Sequence, residues 1–220
     1  MTVDRSFYFD RLYPLQDTVL AAFDRADTGF YLSDGTAASR GYLQHRFSDD
    51  LDLFVNDAPE FGLWAGRLIR GLEDLHELHI EVGLREERFV RLAVSRSAIT
   101  LKIELINDVP AHVGEIRHVP QLGRLDSAEN IFANKITAII DRDEPKDFAD
   151  VWGFSCVFGL SVERAIQDAH SKAAGVFPAD LARRLLGVTT QDWALVRWID
   201  APPAERFVAD LHALGERLVL

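Results

Sequence analysis

The 220-residue sequence contains a single cysteine, Cys156, and a single methionine. One cysteine excludes an internal disulfide and favours a reducing compartment such as the cytoplasm. Cys156 lies in the apolar run GFSCVFGL, so we interpret it as a small buried side chain rather than a nucleophile. The 48% hydrophobic and 27% charged residues are ordinary for a globular protein.

Long apolar runs and a leader peptide are also lacking. No stretch approaches the ~18 uninterrupted apolar residues that a membrane-spanning helix needs. The first residues, MTVDRSFYFDRLYPL, do not combine a basic start with an apolar core. We therefore predict a cytoplasmic protein without a membrane partner.

Basic residues are fewer than acidic residues. The sequence has 24 Lys and Arg and 35 Asp and Glu, which gives a formal net charge of −11 at pH 7. This balance disfavours sequence-independent binding to nucleic acid, although a local basic groove is compatible with it. An acidic site that loads divalent cations would contribute to the negative charge.

The spacing of apolar residues changes near residue 126. Before it, helices predicted over residues 14–26, 35–43 and 60–75 alternate with strands, and after it the pattern is helical. The short links REE and RSA make three successive strands antiparallel neighbours. The predicted strands are FYLS, LDLFV, ELHIEVGL, RFVRLAVS, ITLKIELI and, more weakly, EIRHVP.

The C-terminal part has good helix-start signals, with Ser127 as an N-cap and Pro145, Pro178 and Pro203 near helix starts. We therefore predict an α/β (α+β) fold with a mixed, largely antiparallel sheet in residues 1–126 and an all-helical domain in residues 127–220. The predicted helices are SAENIFANKITAIIDR, PKDFADVWGFSCVF, SVERAIQDAHSKAA, PADLARRLL and PAERFVADLHALGERLV.

Three carboxylates have strand positions that are compatible with a single metal-binding site. Because side chains alternate along a strand, Asp50 and Asp52 face the same side while Leu51 and Leu53 face the core. Glu104, set between apolar residues of ITLKIELI, adds a third carboxylate if its strand belongs to the same sheet. Hard oxygen ligands favour Mg²⁺, although a D-x-D pair alone is also typical of a solvated sheet edge.

Upstream of these acids, the turn Ser33-Asp34-Gly35-Thr36 links a strand to a helix and offers N–H groups and a hydroxyl to phosphate oxygens. The whole stretch resembles the AbiEii/AbiGii toxin branch of the polymerase-β-type nucleotidyltransferases, with the approximate pattern YLxGGTAL…HRxSxDLDLF. The resemblance implies that the two aspartates of D-x-D bind metal and that Gly35 and Thr36 line the triphosphate. The matching residues are Tyr31, Leu32, Gly35, Thr36, Ala37, His45, Arg46, Ser48, Asp50, Leu51, Asp52, Leu53 and Phe54.

A second signature of this branch, K…A…R…KD…D, is similar to NKITAIIDRDEPKDFADVW. By this resemblance, Lys135 contacts nucleotide phosphates and Asp147 faces the active site. The residues alone also allow Asp147 to cap the helix that begins near Pro145. The matching residues are Lys135, Ala138, Arg142, Lys146, Asp147 and Asp150.

Two positions depart from the family pattern. Asp34 replaces the first glycine of the turn, which puts a negative charge beside the expected phosphates, and Glu104 stands where the superfamily often has aspartate. Aspartate tolerates left-handed backbone geometry better than most residues. For Arg46 the sequence allows a phosphate contact or an ion pair with Asp49 or Asp50.

We therefore expect an Mg²⁺-dependent nucleotidyltransferase of the AbiEii toxin type, with its site in the cleft between two domains. It would transfer NMP from an NTP to a tRNA 3′ end or a protein hydroxyl, with Glu104 activating the hydroxyl and Lys135 neutralising phosphate charge. By resemblance, an antitoxin protein would be its partner. One alternative is a small-molecule nucleotidyltransferase of the aminoglycoside-modifying kind, favoured by the acidic charge. The other is a catalytically degenerate binding protein, favoured by Asp34.

Overall fold

The computed structural model describes residues 4–172 and 175–219. Their contacts divide the chain into two compact units, here called the sheet unit and the helical unit. These are groupings of contacts, so the predicted domain division into residues 1–126 and 127–220 stays a prediction. The sheet unit comprises Met1–Ala37, Ser48–Pro110 and Glu115–Asp126, and the helical unit comprises Ala38–Phe47, Ala111–Gly114 and Ser127–Leu220.

The sheet unit contains a seven-stranded mixed sheet. Its strands are β1 (Tyr31–Ser33), β2 (Leu51–Asn56), β3 (His79–Arg85), β4 (Phe89–Arg96), β5 (Ile99–Asp108), β6 (Arg117–Val119) and β7 (Gly123–Leu125). Their order across the sheet is β3-β4-β5-β2-β1-β7-β6. Among these described strands, β2–β5 and β1–β7 pair in parallel and the other four neighbouring pairs are antiparallel. The predicted mixed, largely antiparallel sheet is confirmed, and β7 is an addition to it.

The sheet unit also contains helical segments. They are α1 (Arg5–Phe7), a π-helical segment (Tyr8–Leu12), α2 (Tyr13–Arg25), α3 (Asp34–Thr36) and α4 (Phe61–Glu73). Of these, α2 and α4 contact the sheet and each other. Leu15 and Val19 of α2 are fully buried, and α2 packs against α4 and β7. In β2, Leu51 and Leu53 are also buried, so the alternation along the strand turns Asp52 to the opposite face.

The helical unit follows the predicted pattern. Its helices are α5 (Ala128–Asp141), α6 (Pro145–Trp152), α7 (Val162–His170), α8 (Pro178–Leu186), α9 (Thr190–Leu195) and α10 (Ala204–Arg217), with π-helical segments over Ala37–Leu43 (Ala37 itself belongs to the sheet unit) and Gly153–Val157. Ser127 caps α5 as predicted, because its hydroxyl accepts from the Asn130 N–H at 3.0 Å. The helix α9 was not predicted. Residues 173 and 174, the predicted end of SVERAIQDAHSKAA, lie outside the described residues.

Two helix pairs form much of this unit's core, since α5 packs against α7 and α8 against α10. At Gly215 of α10, a Cβ would lie 3.1 Å from the Ala182 carbonyl oxygen of α8. Glycine therefore permits the close approach of these two helices. Across residues 4–172 and 175–219, none of the helices has the length and apolar character needed to cross a bilayer.

Candidate active site

Two of the predicted acidic residues lie side by side on neighbouring strands of the sheet unit. The parallel pairing of β2 with β5 places Asp52 opposite Glu104. On its other side, Asp52 pairs with Ser33 of β1. The prediction that Glu104 belongs to the same sheet as the D-x-D pair is therefore confirmed.

Asp50 directly precedes β2, and buried side chains hold the backbone around it. The Thr36 hydroxyl donates to the Asp50 carbonyl and lies 3.0 Å from Ser48 Oγ. The side-chain amide of Gln16, on α2, donates to the carbonyls of Ser48 at 3.2 Å and Asp49 at 3.0 Å. Thr36 thus fixes the loop that carries Asp50, whereas its predicted contact with a triphosphate stays a prediction.

Lys102 and Arg91 bring positive charge to the acidic face of the sheet. Lys102 Nζ lies 3.0 Å from Asp50 Oδ2 and 3.3 Å from Glu104 Oε1. Arg91, opposite Glu104 on β4, donates from Nε to the same Oε1 at 2.8 Å. The alternation in LKIEL puts Lys102 and Glu104 on one face of β5, which is a sequence signal for the first of these contacts.

Negative charge nevertheless predominates around Asp52. Burial raises the pKa of its carboxyl to about 8, and the carboxylates of Asp34 and Glu104 add to the shift. Burial lowers the pKa of Lys102, but its hydrogen bond to Asp50 and its acidic neighbours outweigh burial, so this pKa is raised. The ammonium group therefore stays charged without cancelling the acidity around it.

The donor set on this face suits a hard divalent cation. Asp50, Asp52 and Glu104 offer carboxylate oxygens, which Mg²⁺ prefers, and the raised pKa of Asp52 indicates a deficit of positive charge. In the described part of the chain, no three His, Cys, Asp or Glu side chains already stand in a metal-binding arrangement. Two of the carboxylates bind Lys102 instead. The predicted Mg²⁺ site fits by chemistry and stays a prediction.

The turn before this loop has the backbone geometry that the family glycine implies. Asp34 has a φ of +54°, in the left-handed region that glycine adopts most easily. Asp34 and Gly35 begin α3, which runs directly into the π-helical segment Ala37–Leu43. The departure from the family pattern therefore adds a negative charge to a turn whose backbone lies in a region that glycine also adopts. The predicted lining of the triphosphate by Gly35 stays a prediction.

Lys135 and Asp147 belong to a buried cluster of the helical unit. Lys135, on α5, is 1% exposed, and its Nζ lies 2.9 Å from Asp147 Oδ1 and 3.1 Å from Asp150 Oδ2. Arg142 donates from Nε to Asp147 Oδ2 at 2.7 Å and from Nη2 to Oδ1 at 3.1 Å. The Asp147 carboxylate therefore binds two cations, and the alternative that it caps α6 is not what the structure shows.

Asp150 is the centre of this cluster. Arg46 binds it in a bidentate manner, with Nε–Oδ1 and Nη2–Oδ2 both 2.7 Å, and His45 Nε2 lies 3.0 Å from Oδ1. Burial raises the pKa of Asp150, but the charges of Arg46 and Lys135 outweigh it and hold the pKa well below its usual range. Burial lowers the pKa of His45, which favours the neutral imidazole with its Nε2–H donated to Asp150. His45 Nδ1 is buried without a hydrogen-bond partner in the part of the chain described.

The ion pair that the structure gives for Arg46 was not expected. The sequence pointed to its close neighbours Asp49 or Asp50, whereas the guanidinium binds Asp150 on α6. The pairing joins residues that are remote along the chain, so local sequence could not reveal it. A contact between Arg46 and a nucleotide stays a prediction.

Cys156 is half-buried and not fully buried as predicted, but burial still raises the pKa of its thiol to about 11, which agrees with an inert side chain. A thiolate is therefore scarce at neutral pH.

The predicted site residues fall into two groups. Gly35, Thr36, Asp50, Asp52 and Glu104 belong to the sheet unit, and Arg46, Lys135 and Asp147 belong to the helical unit.

Comparisons with known proteins give a family match and several structural likenesses. The model of the family described as "Nucleotidyl transferase AbiEii toxin, Type IV TA system" matches residues 19–191. No curated protein matches the chain.

Three solved structures share the fold at low sequence identity. A crystal structure assigned as a nucleotidyltransferase from H. pylori has a TM-score of 0.64 and 19% identity, covering 94% of this chain and 95% of that one. JHP933 from Helicobacter pylori has a TM-score of 0.61 and 19% identity over 94% and 92% of the chains. MenT4, a nucleotidyltransferase toxin from Mycobacterium tuberculosis H37Rv, has a TM-score of 0.62 and 16% identity over 94% and 82%.

Proposed function

Because the chain belongs to the AbiEii family of nucleotidyltransferase toxins, we propose that it acts in the cytoplasm and transfers NMP from an NTP to a hydroxyl of a tRNA 3′ end or of a protein. The family match shows the enzyme class. The acceptor, the metal ion and the cellular location are our proposal. The family description names a type IV toxin–antitoxin system, which supports an antitoxin protein as the partner.

One observation carries the proposal furthest, namely the uncompensated charge at Asp52. Burial and the carboxylates of Asp34 and Glu104 raise the pKa of Asp52 to about 8. An added cation on this face would favour the ionised carboxylate. A metal-bound triphosphate supplies such a cation, and strongly perturbed carboxyl groups of this kind are concentrated at functional sites.

In the proposed reaction, the acceptor oxygen attacks the α-phosphorus of the NTP. A new P–O bond forms, the bond to the bridging α,β-oxygen breaks, and pyrophosphate leaves. Mg²⁺ would withdraw charge from the phosphate oxygens, with Asp50 and Asp52 as its ligands. Glu104 would accept the proton of the acceptor hydroxyl. Arg91 binds its Oε1 at 2.8 Å, which leaves Oε2 for this proton.

We extend the proposal to the helical unit through the family signature. Lys135 would neutralise phosphate charge as pyrophosphate leaves, and Asp147, 2.9 Å from Lys135 Nζ, would hold the ammonium group in place. Because Nζ already binds Asp147 and Asp150, a phosphate contact requires it to exchange one carboxylate for the phosphate. Gly35 and Thr36 would line the triphosphate by the same family likeness.

The test incubates the protein with each of the four α-³²P-labelled NTPs, in the presence of Mg²⁺ or of EDTA. It measures the transfer of label to three acceptors, namely total tRNA, protein and an aminoglycoside. We expect tRNA or protein to be labelled only with Mg²⁺, and Asp52→Asn to reduce labelling by about 100-fold or more. Asp57→Asn is the matched control, since Asp57 is 55% exposed and pairs only at the surface with Arg88.

Three results would change the conclusion. Labelling of the aminoglycoside alone would favour the small-molecule enzyme, and equal labelling with EDTA would exclude the metal. If none of the acceptors is labelled and calorimetry detects no Mg²⁺-dependent NTP binding, the charge at Asp34 has disabled the site and the binding-protein alternative replaces the enzyme.

A further inference from the structure

Lys102 is the cation that lies between Asp50 and Glu104, two of the three carboxylates that form the proposed metal site. Its Nζ is 3.0 Å from Asp50 Oδ2 and 3.3 Å from Glu104 Oε1. Arg91 contacts Glu104 from β4, the strand that lies on the opposite side of β5 from β2. The ammonium group therefore bridges carboxylates from two separate parts of the chain. The same carboxylates are therefore occupied by a cation of the chain itself.

Strand geometry places Lys102 at this point. Lys102 and Glu104 are two residues apart on β5 and so share a face, and the register sets Glu104 beside Asp52. The Lys102 side chain is 42% exposed, so its long flexible stem has a route into solvent. Glu104 is more buried, at 16% exposed, and has a second cation partner in Arg91 at 2.8 Å.

Resting on the proposed nucleotidyltransferase site, we propose that Lys102 is a built-in competitor of the divalent cation for Asp50 and Glu104. It binds these carboxylates when no nucleotide is present, and it has to leave them before a metal ion can bind. An ammonium group and a metal ion cannot share the same oxygens, because like charges about 4 Å apart repel strongly on a partly buried protein surface.

The consequence is selectivity for the form in which the metal arrives. A free divalent ion has only its own charge with which to displace Lys102. A metal–NTP complex also brings phosphate oxygens, which accept hydrogen bonds from the displaced ammonium group. Lys102 thus keeps the site closed to free metal and open to a metal-bound nucleoside triphosphate.

The experiment is a titration with Mn²⁺ in the absence of nucleotide, following the EPR signal of the free ion. It compares the wild type with Lys102→Gln, with the charge-conserving Lys102→Arg, and with Lys146→Gln. Lys146 is a matched control because it pairs with Glu144 at 3.1 Å on the surface of the helical unit. The double variant Lys102→Gln/Asp52→Asn identifies the site.

We expect Lys102→Gln to bind Mn²⁺ about tenfold more tightly than the wild type, with Lys102→Arg and Lys146→Gln within about twofold. Adding Asp52→Asn should abolish the gain. The loss of the gain in the Asp52→Asn double variant distinguishes binding at this site from binding to acidic residues of a misfolded chain, and thermal melting of each variant checks the fold independently.

Two contrary results are distinguishable. If the wild type and Lys102→Gln bind Mn²⁺ equally and both depend on Asp52, the competition is wrong while the proposed metal site stands. If neither shows Asp52-dependent binding, the metal site itself is wrong, and both proposals are overturned.

Discussion

The two charged clusters of this protein differ in how their carboxylates are balanced. In the helical unit, both oxygens of Asp150 bind cations, and Arg46 and Lys135 hold its pKa well below the usual range. In the sheet unit, the pKa of Asp52 is raised to about 8 by burial and by acidic neighbours that include Asp34. The cations around Asp150 compensate its charge, whereas the cations around Asp52 do not compensate the acidic groups there.

This difference separates a network that holds its side chains, including Lys135, in position from a group of carboxylates that calls for an added cation. A buried ion-pair network with every partner in place holds its members in a fixed arrangement, so it positions side chains. A partly buried carboxylate without enough cations destabilises the fold and is retained at sites that bind a ligand. The family signature includes residues from both clusters, and the contrast gives them different tasks.

The largest effect is expected from breaking the compensated cluster. Asp150→Asn leaves Lys135 and Arg46 buried with too little negative charge, so we expect the free energy of unfolding to fall by about 3–5 kcal/mol. Urea denaturation followed by circular dichroism measures it. Asp143→Asn is the control, because Asp143 is 71% exposed and 3.9 Å from its partner Arg184, and it should change stability by about 0.5 kcal/mol at most. Equal losses in the two variants would contradict the special role of Asp150.

In the sheet unit, we expect a substitution to increase the free energy of unfolding. Asp52→Asn removes a carboxylate whose folded pKa is raised to about 8, so at pH 9 it should increase the free energy of unfolding by about 1–2 kcal/mol. At pH 5 the folded wild-type carboxyl is protonated and only the unfolded one is ionised, so the gain should be much smaller. The same urea experiment at both pH values tests this, with Asp57→Asn as the control. A loss of stability at pH 9 would show that Asp52 is compensated after all.

A smaller effect is expected from pH alone. His45 has a folded pKa below its usual 6.5, so the stability that it supports is complete above that pH and is lost as pH falls through the folded pKa. The raised pKa of Asp52 acts in the opposite direction, since stability increases as pH falls through about 8. Hydrogen exchange between pH 8 and 5.5, corrected for intrinsic rates, should show less protection in α5 and α6 and more in β2 and β5.

The control for this experiment is His45→Gln, which cannot titrate and should flatten the response of α5 and α6. Parallel changes in the two units would contradict the assignment of opposite shifts in pKa. Protection that is independent of pH in the helical unit would exclude His45 as the group responsible.

The smallest effect is expected from Asp34→Gly. Glycine relieves the left-handed backbone at φ +54° and removes one charge near Asp52, so we expect about 0.5–1 kcal/mol of added stability and tighter Mg²⁺–NTP binding. Asp27→Gly is the matched control, because its φ is +48° and its backbone gain is similar. If both variants bind NTP equally, the charge of Asp34 has no part in nucleotide binding.

Much of the sheet unit could be predicted because its information is local. Alternation along LDLFV and ITLKIELI predicts which side chains are buried and which acids share a face, and the observed register of Asp52 with Glu104 agrees. The strand β7 was missed because three residues that start with Gly123 carry too little pattern. The helix α9 is equally short, although Thr189 and Asp192 form a capping box that gives a usable signal.

The charge partners were harder to predict because they depend on tertiary structure. Arg46 was matched to nearby acids, whereas its partner Asp150 is brought to it only when the helical unit folds. Gln16 gave no sign in the sequence that it holds the loop before β2, since a lone glutamine in an amphipathic helix is ordinary. Lys102 lay within reach of sequence reasoning, because its strand position predicts the same face as Glu104.

The parallel pairing of β2 with β5 also determines when the acidic site can exist during synthesis. A ribosome delivers β2, then the β3–β4 hairpin, and only afterwards the strand that carries Glu104. Nascent chains that end before β5 can form local hairpins but cannot bring Asp52 beside Glu104, because that contact closes over two intervening strands. The carboxylate pair is thus assembled late, and truncated products of translation lack it even when their first helices and strands are folded.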